Sequence, residues 1–291
     1  MRPKIIFAVL FLLIACNKPY AQSGNQEAQM AVYNVALGGL TAGIGAVINK
    51  QKTTNWKKAF VKGFWQGGLG GALNYSAKKT LYLINQQNNK IYALPAKILH
   101  AAGLSIIENA ALNEPFLQNW NINYGPVRFD FSVGHNRKFK ARFLPESIYS
   151  VYEASRVASF DLKSSLLTGN IVYTNRNNLV IYTRNHAVSG LSFGRSIAVG
   201  ADWIGSNKVL AHELVHQFQY DDYQVLNTWF KPFEKHIKSK LLTTIFTKYV
   251  YADIPYFWFF YSAQGINKPN SYNNFYEFEA ERFARNKFIV R

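Results

Sequence analysis

Apolar and polar positions change their period near residue 124 of this chain, from helical to two. Before that point the spacing is helical. Ala31 to Ile48 is uncharged and rich in Gly and Ala, and a second Gly-rich stretch runs from Gly63 to Ala72 behind Lys57, Lys58 and Lys62. Spacings of four recur in Gly39/Gly43 and Gly63/Gly67/Gly71. On a helix they line up as bare backbone that a second helix can approach closely. Three readings fit: a pair of small-residue helices in or on a membrane, a tight soluble pair, or a Gly-rich loop. Residues 77–113 continue the helical spacing through Leu81, Ile84, Ile91, Leu94, Ile98, Leu104 and Ile107, with breaks at residues 86–89 and Pro95.

Beyond Pro126 the period becomes two. Val127, Phe129, Phe131 and Val133 alternate with Arg128, Asp130 and Ser132. After Gly134-His135-Asn136, Phe139, Ala141 and Phe143 alternate with Lys138, Lys140 and Arg142. This predicts a β-hairpin with a buried apolar face and an exposed basic face. A short helix over 146–158, strands over 170–174, 179–183 and 193–199, and two later helices complete an α+β pattern. No repeat of solenoid length occurs.

Composition narrows the chemistry. The 291 residues carry 33 Lys plus Arg against 16 Asp plus Glu, a net +17, with 48% hydrophobic and 16% aromatic residues. That is too apolar for a disordered basic tail. One cysteine excludes an intrachain disulfide, a Cys-rich zinc finger and an iron–sulfur cluster, so any metal falls to His, Glu or Asp. Lys and Arg are scattered, and no helix-turn-helix, finger or RNA-binding signature appears, so nucleic acid is not an expected partner. Arg2, Lys4 and the apolar run Ile5 to Ala15 read as an export signal. The run ends Leu13-Ile14-Ala15-Cys16, like a bacterial lipobox, which makes Cys16 the lipidated residue. Cleavage near Ala21 is the alternative, with a periplasmic or secreted product. A basic exported protein is expected to lean on the anionic membrane surface.

The segment that carries chemistry is Ala211-His212-Glu213-Leu214-Val215-His216. Ser206 can cap a helix starting at about Asn207. His212 and His216 lie one turn apart on one side, a spacing that lets two imidazoles reach one tetrahedral zinc. Glu213, beside the first ligand, can take the proton of a water attacking a carbonyl. Asn274 to Ala284 reads as a second helix, with Glu277 and Glu281 one turn apart. Glu277 can be the third ligand or a capping-box residue three positions after Asn274. Glu281 can hold a ligating imidazole. Glu279 projects away from that pair.

These two segments together resemble the gluzincin metallopeptidases, the CAAX prenyl protease and HtpX-like group in particular. That family pairs His-Glu-x-x-His with Glu-Phe-x-Ala-Asp-x-Phe-Ala. Here the second block is Glu277-Phe278-Glu279-Ala280-Glu281-Arg282-Phe283-Ala284, departing at Glu281 where the family has Asp. The resemblance covers about 25 residues in two blocks, by its motif spacing. It implies an α+β zincin-like domain with a small mixed or antiparallel sheet, preceded by a Gly-rich helical segment. It also implies zinc held by His212, His216 and Glu277, and an edge strand upstream that binds an extended peptide. Phe193, Arg195, Ile197 and Val199 lie in the place for that strand. Tyr220, His236, Tyr276 and Arg282 are candidates for an oxyanion-stabilising donor.

The expected organisation is a signal over 1–15, a tether over 16–30, a Gly/Ala-rich helical region over 31–124, and the zincin-like domain over 125–291. His100, His135 and His186 are expected on the surface or in loops. The aromatic run Tyr256 to Tyr261 reads as core packing over the site or as a patch for lipid or apolar substrate. Together these features predict an exported zinc metallopeptidase acting on peptide or protein substrates. The alternatives are a non-catalytic envelope lipoprotein using the same scaffold for a partner or lipid, and a secreted effector delivering a peptidase.

Overall fold

The computed structural model describes residues 26–133, 137–177, 179–181, 186–200, 206–234, 238–265 and 274–285. The signal-like segment with Cys16, and also His135 and His236, lie outside these residues, as do the His186 and Ser206 side chains.

Helices α1 (Gln26–Ile48), α2 (Trp56–Thr80), α3 (Tyr82–Gln86) and α4 (Ala93–Ala111) come first. Asn55 starts α2 by accepting from the Lys57 amide. Pro95 sits in the first turn of α4, where a missing N–H costs nothing. The glycine stripes do what their spacing predicts. A Cβ on Gly38 would lie 2.4 Å from the Gly67 carbonyl oxygen, and one on Gly67 would lie 2.3 Å from that of Gly38. Gly70 and Gly103 bring α2 and α4 together in the same way. Gly39 and Gly43 instead make room for the rings of Phe64 and Phe60. Both α1 and residues 90–111 are long and apolar enough to cross a membrane, yet 56% and 61% of their apolar windows are buried inside the protein. The outer face of α2 leaves Val61, Trp65 and Leu69 exposed.

Strands β1 (Asn119–Tyr124), β2 (Val127–Ser132) and β3 (Lys138–Phe143) form an antiparallel sheet in that order. The hairpin lies where the alternation places it, but its faces are reversed. Arg128 is buried, while Phe131, Phe139 and Phe143 are exposed. The reason is the surface beneath. Helix α4 turns Ser105, Glu108 and Asn109 toward the sheet. The Glu108 carboxylate accepts from both terminal nitrogens of Arg128, at 3.0 and 2.6 Å, and Asn109 donates to the Asn119 carbonyl. A polar sheet face is therefore the one that fits. Cross-strand register puts the other face in three apolar rows: Trp120–Phe131–Phe139, Ile122–Phe129–Ala141 and Tyr124–Val127–Phe143.

Next come α5 (Glu146–Val157), β4 (Ser159–Phe160), α6 (Leu162–Thr168), β5 (Ile171–Asn175), β6 (Leu179–Ile181), β7 (His186–Val188), β8 (Gly190–Ser192) and β9 (Ser196–Gly200). A mixed sheet runs β4-β5-β9-β8, with β5 and β9 parallel, and β6 pairs with β7 separately. The chain then enters α7 (Ser206–Gln224), followed by α8 (Lys231–Glu234), α9 (Lys240–Thr244), α10 (Tyr256–Gly265) and α11 (Phe275–Arg285).

Helix α7 is the axis of the molecule. From Leu210 to Gln224 every residue but His212 is buried. One apolar cluster joins Met30, Leu81 and Ile84 of the N-terminal helices to Ile197, Leu214, Phe218 and Phe283. Each such side chain contributes roughly 1.5–3 kcal/mol by leaving water. The expected boundary near residue 124 therefore separates no cores: the N-terminal helices pack directly on α7. The overall class is α+β, with small sheets among long helices.

Candidate metal centre

The site sits where α7 meets α11. Asn274 caps α11 by accepting from the Tyr276 amide. The Glu277 carboxylate does not fold back as a capping box. Its Oε2 lies 3.3 Å from His212 Nε2 and its Oε1 lies 3.4 Å from His216 Nε2. The two imidazole Nε2 atoms are 3.1 Å apart. A tetrahedral ion with bonds near 2.0–2.1 Å needs donor atoms about 3.3–3.4 Å from one another. Each imidazole lies close to that edge length from its own carboxylate oxygen, and taking one ligand atom per residue the three lie within 4.8 Å of one another, so the group could hold a small divalent metal. Imidazole and carboxylate donors suit zinc, and other divalent ions of that size fit the same set.

Each imidazole is oriented from behind. His212 Nδ1 lies 3.4 Å from Glu281 Oε2, and Glu281 is itself held by Lys208 at 2.9 Å and by Arg285. His216 Nδ1 lies 2.8 Å from Gln219 Oε1. The Gln219 Nε2 donates to the Tyr276 carbonyl at 3.0 Å and to Glu279 Oε2 at 2.8 Å. A carbonyl can only accept, so the amide has one orientation, and its oxygen must face His216. Nδ1 of His216 then carries the proton, and Nε2 presents its lone pair to the centre. Glu279, fully buried, is compensated by Lys78 at 3.1 Å and by Asn34 at 2.7 Å. Lys78 also pairs with Asp222 at 2.6 Å, and Asp222 meets His100 at 3.0 Å. The expectation that His100 is a surface histidine is thus overturned: it is buried and stacked on Phe218, with ring centroids 4.2 Å apart.

The electrostatics call for a positive charge. Burial works against protonation of His212, yet Glu277 and Glu281 hold its pKa up at about 10. Against burial, the two histidines hold Glu277 well below the usual carboxylate range. Burial likewise opposes ionisation of Glu281, but His212 and Lys208 keep it down at about 2. A cation shared between imidazoles and carboxylates satisfies this set.

Glu213 is buried beside the centre. Burial pushes its carboxyl up, against the pull of His212 and His216. Strand β8 passes directly over it: a Cβ on Gly190 would lie 2.7 Å from Glu213 Oε1. This corrects the expected edge strand. Ile197 and Val199 lie on β9, interior between β5 and β8. Arg195 is buried among Glu146, Asp221 and Asp253, and Phe193 packs in a separate apolar cluster under α5. The sheet edge next to α7 is Gly190–Ser192, tied to the helix by Gln217 donating to Ser192 Oγ at 2.9 Å.

The oxyanion candidates divide. Tyr276 is buried with its hydroxyl on Tyr223, Arg282 reaches Glu27 at 3.5 Å, and Tyr220 packs on Arg195 and Gly194. The hydroxyl nearest the centre belongs to Tyr261, which donates to Glu277 Oε1 and sets its ring edge-on to His216. Nothing local in the sequence singles out Tyr261 from the aromatic run around it. Within that run Phe257 and Phe260 are core, while Trp258 and Phe259 face outward.

No family model, curated protein or solved structure matches this chain.

Proposed function

We propose that the chain is a zinc-dependent hydrolase of peptide bonds, with His212, His216 and Glu277 holding the metal and Glu213 as general base. The observation that supports this most is the convergence of two imidazoles and the Glu277 carboxylate, one ligand atom of each within 4.8 Å of the others, with a buried carboxylate on the residue after His212. Zinc at such a site supplies Lewis acidity toward a water and a carbonyl oxygen. The chain's own residues do the rest. Glu213 takes a proton from the attacking water and passes it to the leaving amine. Tyr261 steadies Glu277, and Gln219 and Glu281 orient the two imidazoles. The outer edge of β8, unpaired among the described strands, offers backbone groups to align an extended peptide over Glu213. The charged start, apolar run and Cys16 of the sequence support export to a bacterial envelope as the setting of this activity.

The test is hydrolysis of a peptide library by the wild type and Glu213→Gln. The variant should keep its metal and lose about 10²- to 10⁴-fold in rate, the usual contribution of a general base. Equal rates in the two proteins would overturn the assignment of Glu213.

A further inference from the structure

The three-stranded sheet is built inside out, and that is independent of the metal centre. Its inner face carries Asn121, Asn123, Arg128 and Asp130, all hydrogen-bonded. Asn121 donates to Glu108 at 3.1 Å, Asn123 to Asp221 at 3.1 Å and to Gln224 at 3.0 Å, and Arg128 to Asp130 at 2.8 Å. Turning the sheet over would strand these groups and their partners without hydrogen bonds, so the orientation is fixed. The outer face is then the apolar grid of three rows, none of whose members is buried. Phe139 is 63% exposed, Phe131 40% and Phe143 38%, and Val133 at the end of β2 is 60% exposed. A contiguous face of this kind marks a contact surface.

Charge identifies the occupant. On the β3 side of the grid Arg137 is exposed and shares the grid's face by alternation, Lys248 is exposed in the adjoining segment, and Lys138 and Lys140, which leave β3 from the opposite face with Ser132 and Asp130 as partners, are exposed at the same edge, where Lys140 reaches the Thr247 carbonyl. Leu241 and Tyr249 add exposed apolar area in the segment that pairs with β3 through Val250. A second copy of the chain would bring another net charge of +17 against this rim. An anionic bilayer attracts the rim, and its interface accepts the apolar grid, with Trp120 and Tyr124 suited to the headgroup boundary. We infer that this sheet face seats the protein on an anionic lipid bilayer, lying on the membrane without spanning it.

The test uses the chain from residue 17 onward, so that neither the apolar run Ile5 to Ala15 nor a lipid on Cys16 is present. It is mixed with phosphatidylcholine vesicles made with and without phosphatidylglycerol. Partitioning should be at least about 10-fold stronger with the anionic lipid and should fall as salt is raised. Phe131→Ser with Phe139→Ser should lower it at least about 10-fold, from the apolar area lost. Phe139→Ser alone, at the most exposed position, should give a smaller loss and guards against misfolding of the double variant. Partitioning that survives both variants would put the contact elsewhere, such as the outer face of α2, and overturn the inference. So would a wild-type dimer in light scattering that the double variant turns into a monomer.

Discussion

The amide of Gln219 decides which nitrogen of His216 faces the centre. Its donor side is taken by the Tyr276 carbonyl and Glu279, and its oxygen is left for Nδ1. Behind it stand Lys78 and Asn34, contributed by the Gly-rich helices some 200 residues earlier in the chain. Gln219→Leu removes the acceptor while keeping the volume. Zinc affinity, measured by competition with a chromogenic chelator, should weaken about 10- to 100-fold, as when other such supporting groups are lost. Unchanged affinity would show that the amide does not set the tautomer. At this scale the sequence is readable only where partners share a helix. His212, His216 and the pair Glu277/Glu281 are legible from one-turn spacing. Tyr261 and Lys78 are not, because their roles come from contacts with residues far away in the chain.

Among the elements, the packing of α1 on α2 is backbone against backbone, which makes adjacent glycines behave oppositely. A Cβ at Gly67 would meet the Gly38 carbonyl oxygen and the Ala42 Cβ at 2.3 and 2.4 Å, and the backbone contact cannot move aside. At Gly68 the nearest atom is a Val35 methyl at 3.5 Å, an ordinary contact. Gly67→Ala should therefore destabilise by about 3 kcal/mol or more through overpacking. Gly68→Ala should stabilise by up to about 1 kcal/mol through helix propensity. Urea unfolding of the two variants checks the pair, and equal effects would contradict the interface. The spacing of four made these stripes visible in advance. The hairpin was equally visible from its alternation, but which side faces inward was not. Period two defines two faces and says nothing of the surface that awaits them; Glu108 and Gln224 settled the matter in favour of the polar one.

As a whole the molecule brings together candidate ligands that are 61 positions apart, His216 on α7 and Glu277 on α11, around one central helix. The N-terminal helices close the same core, so the shared packing was not legible: the hydrophobic period changes near residue 124, but one core runs across that point. Binding to the folded state alone stabilises it by mass action, so a metal at this centre should act on the whole fold. The most direct measurement is metal analysis of the purified chain after exposure to zinc and dialysis, with melting temperature recorded alongside. The account predicts about one zinc per chain, a higher melting temperature with zinc than after chelation, and loss of the ion in His212→Ala and in Glu277→Gln. A chain that retains no zinc, or retains it equally in both variants, would contradict it.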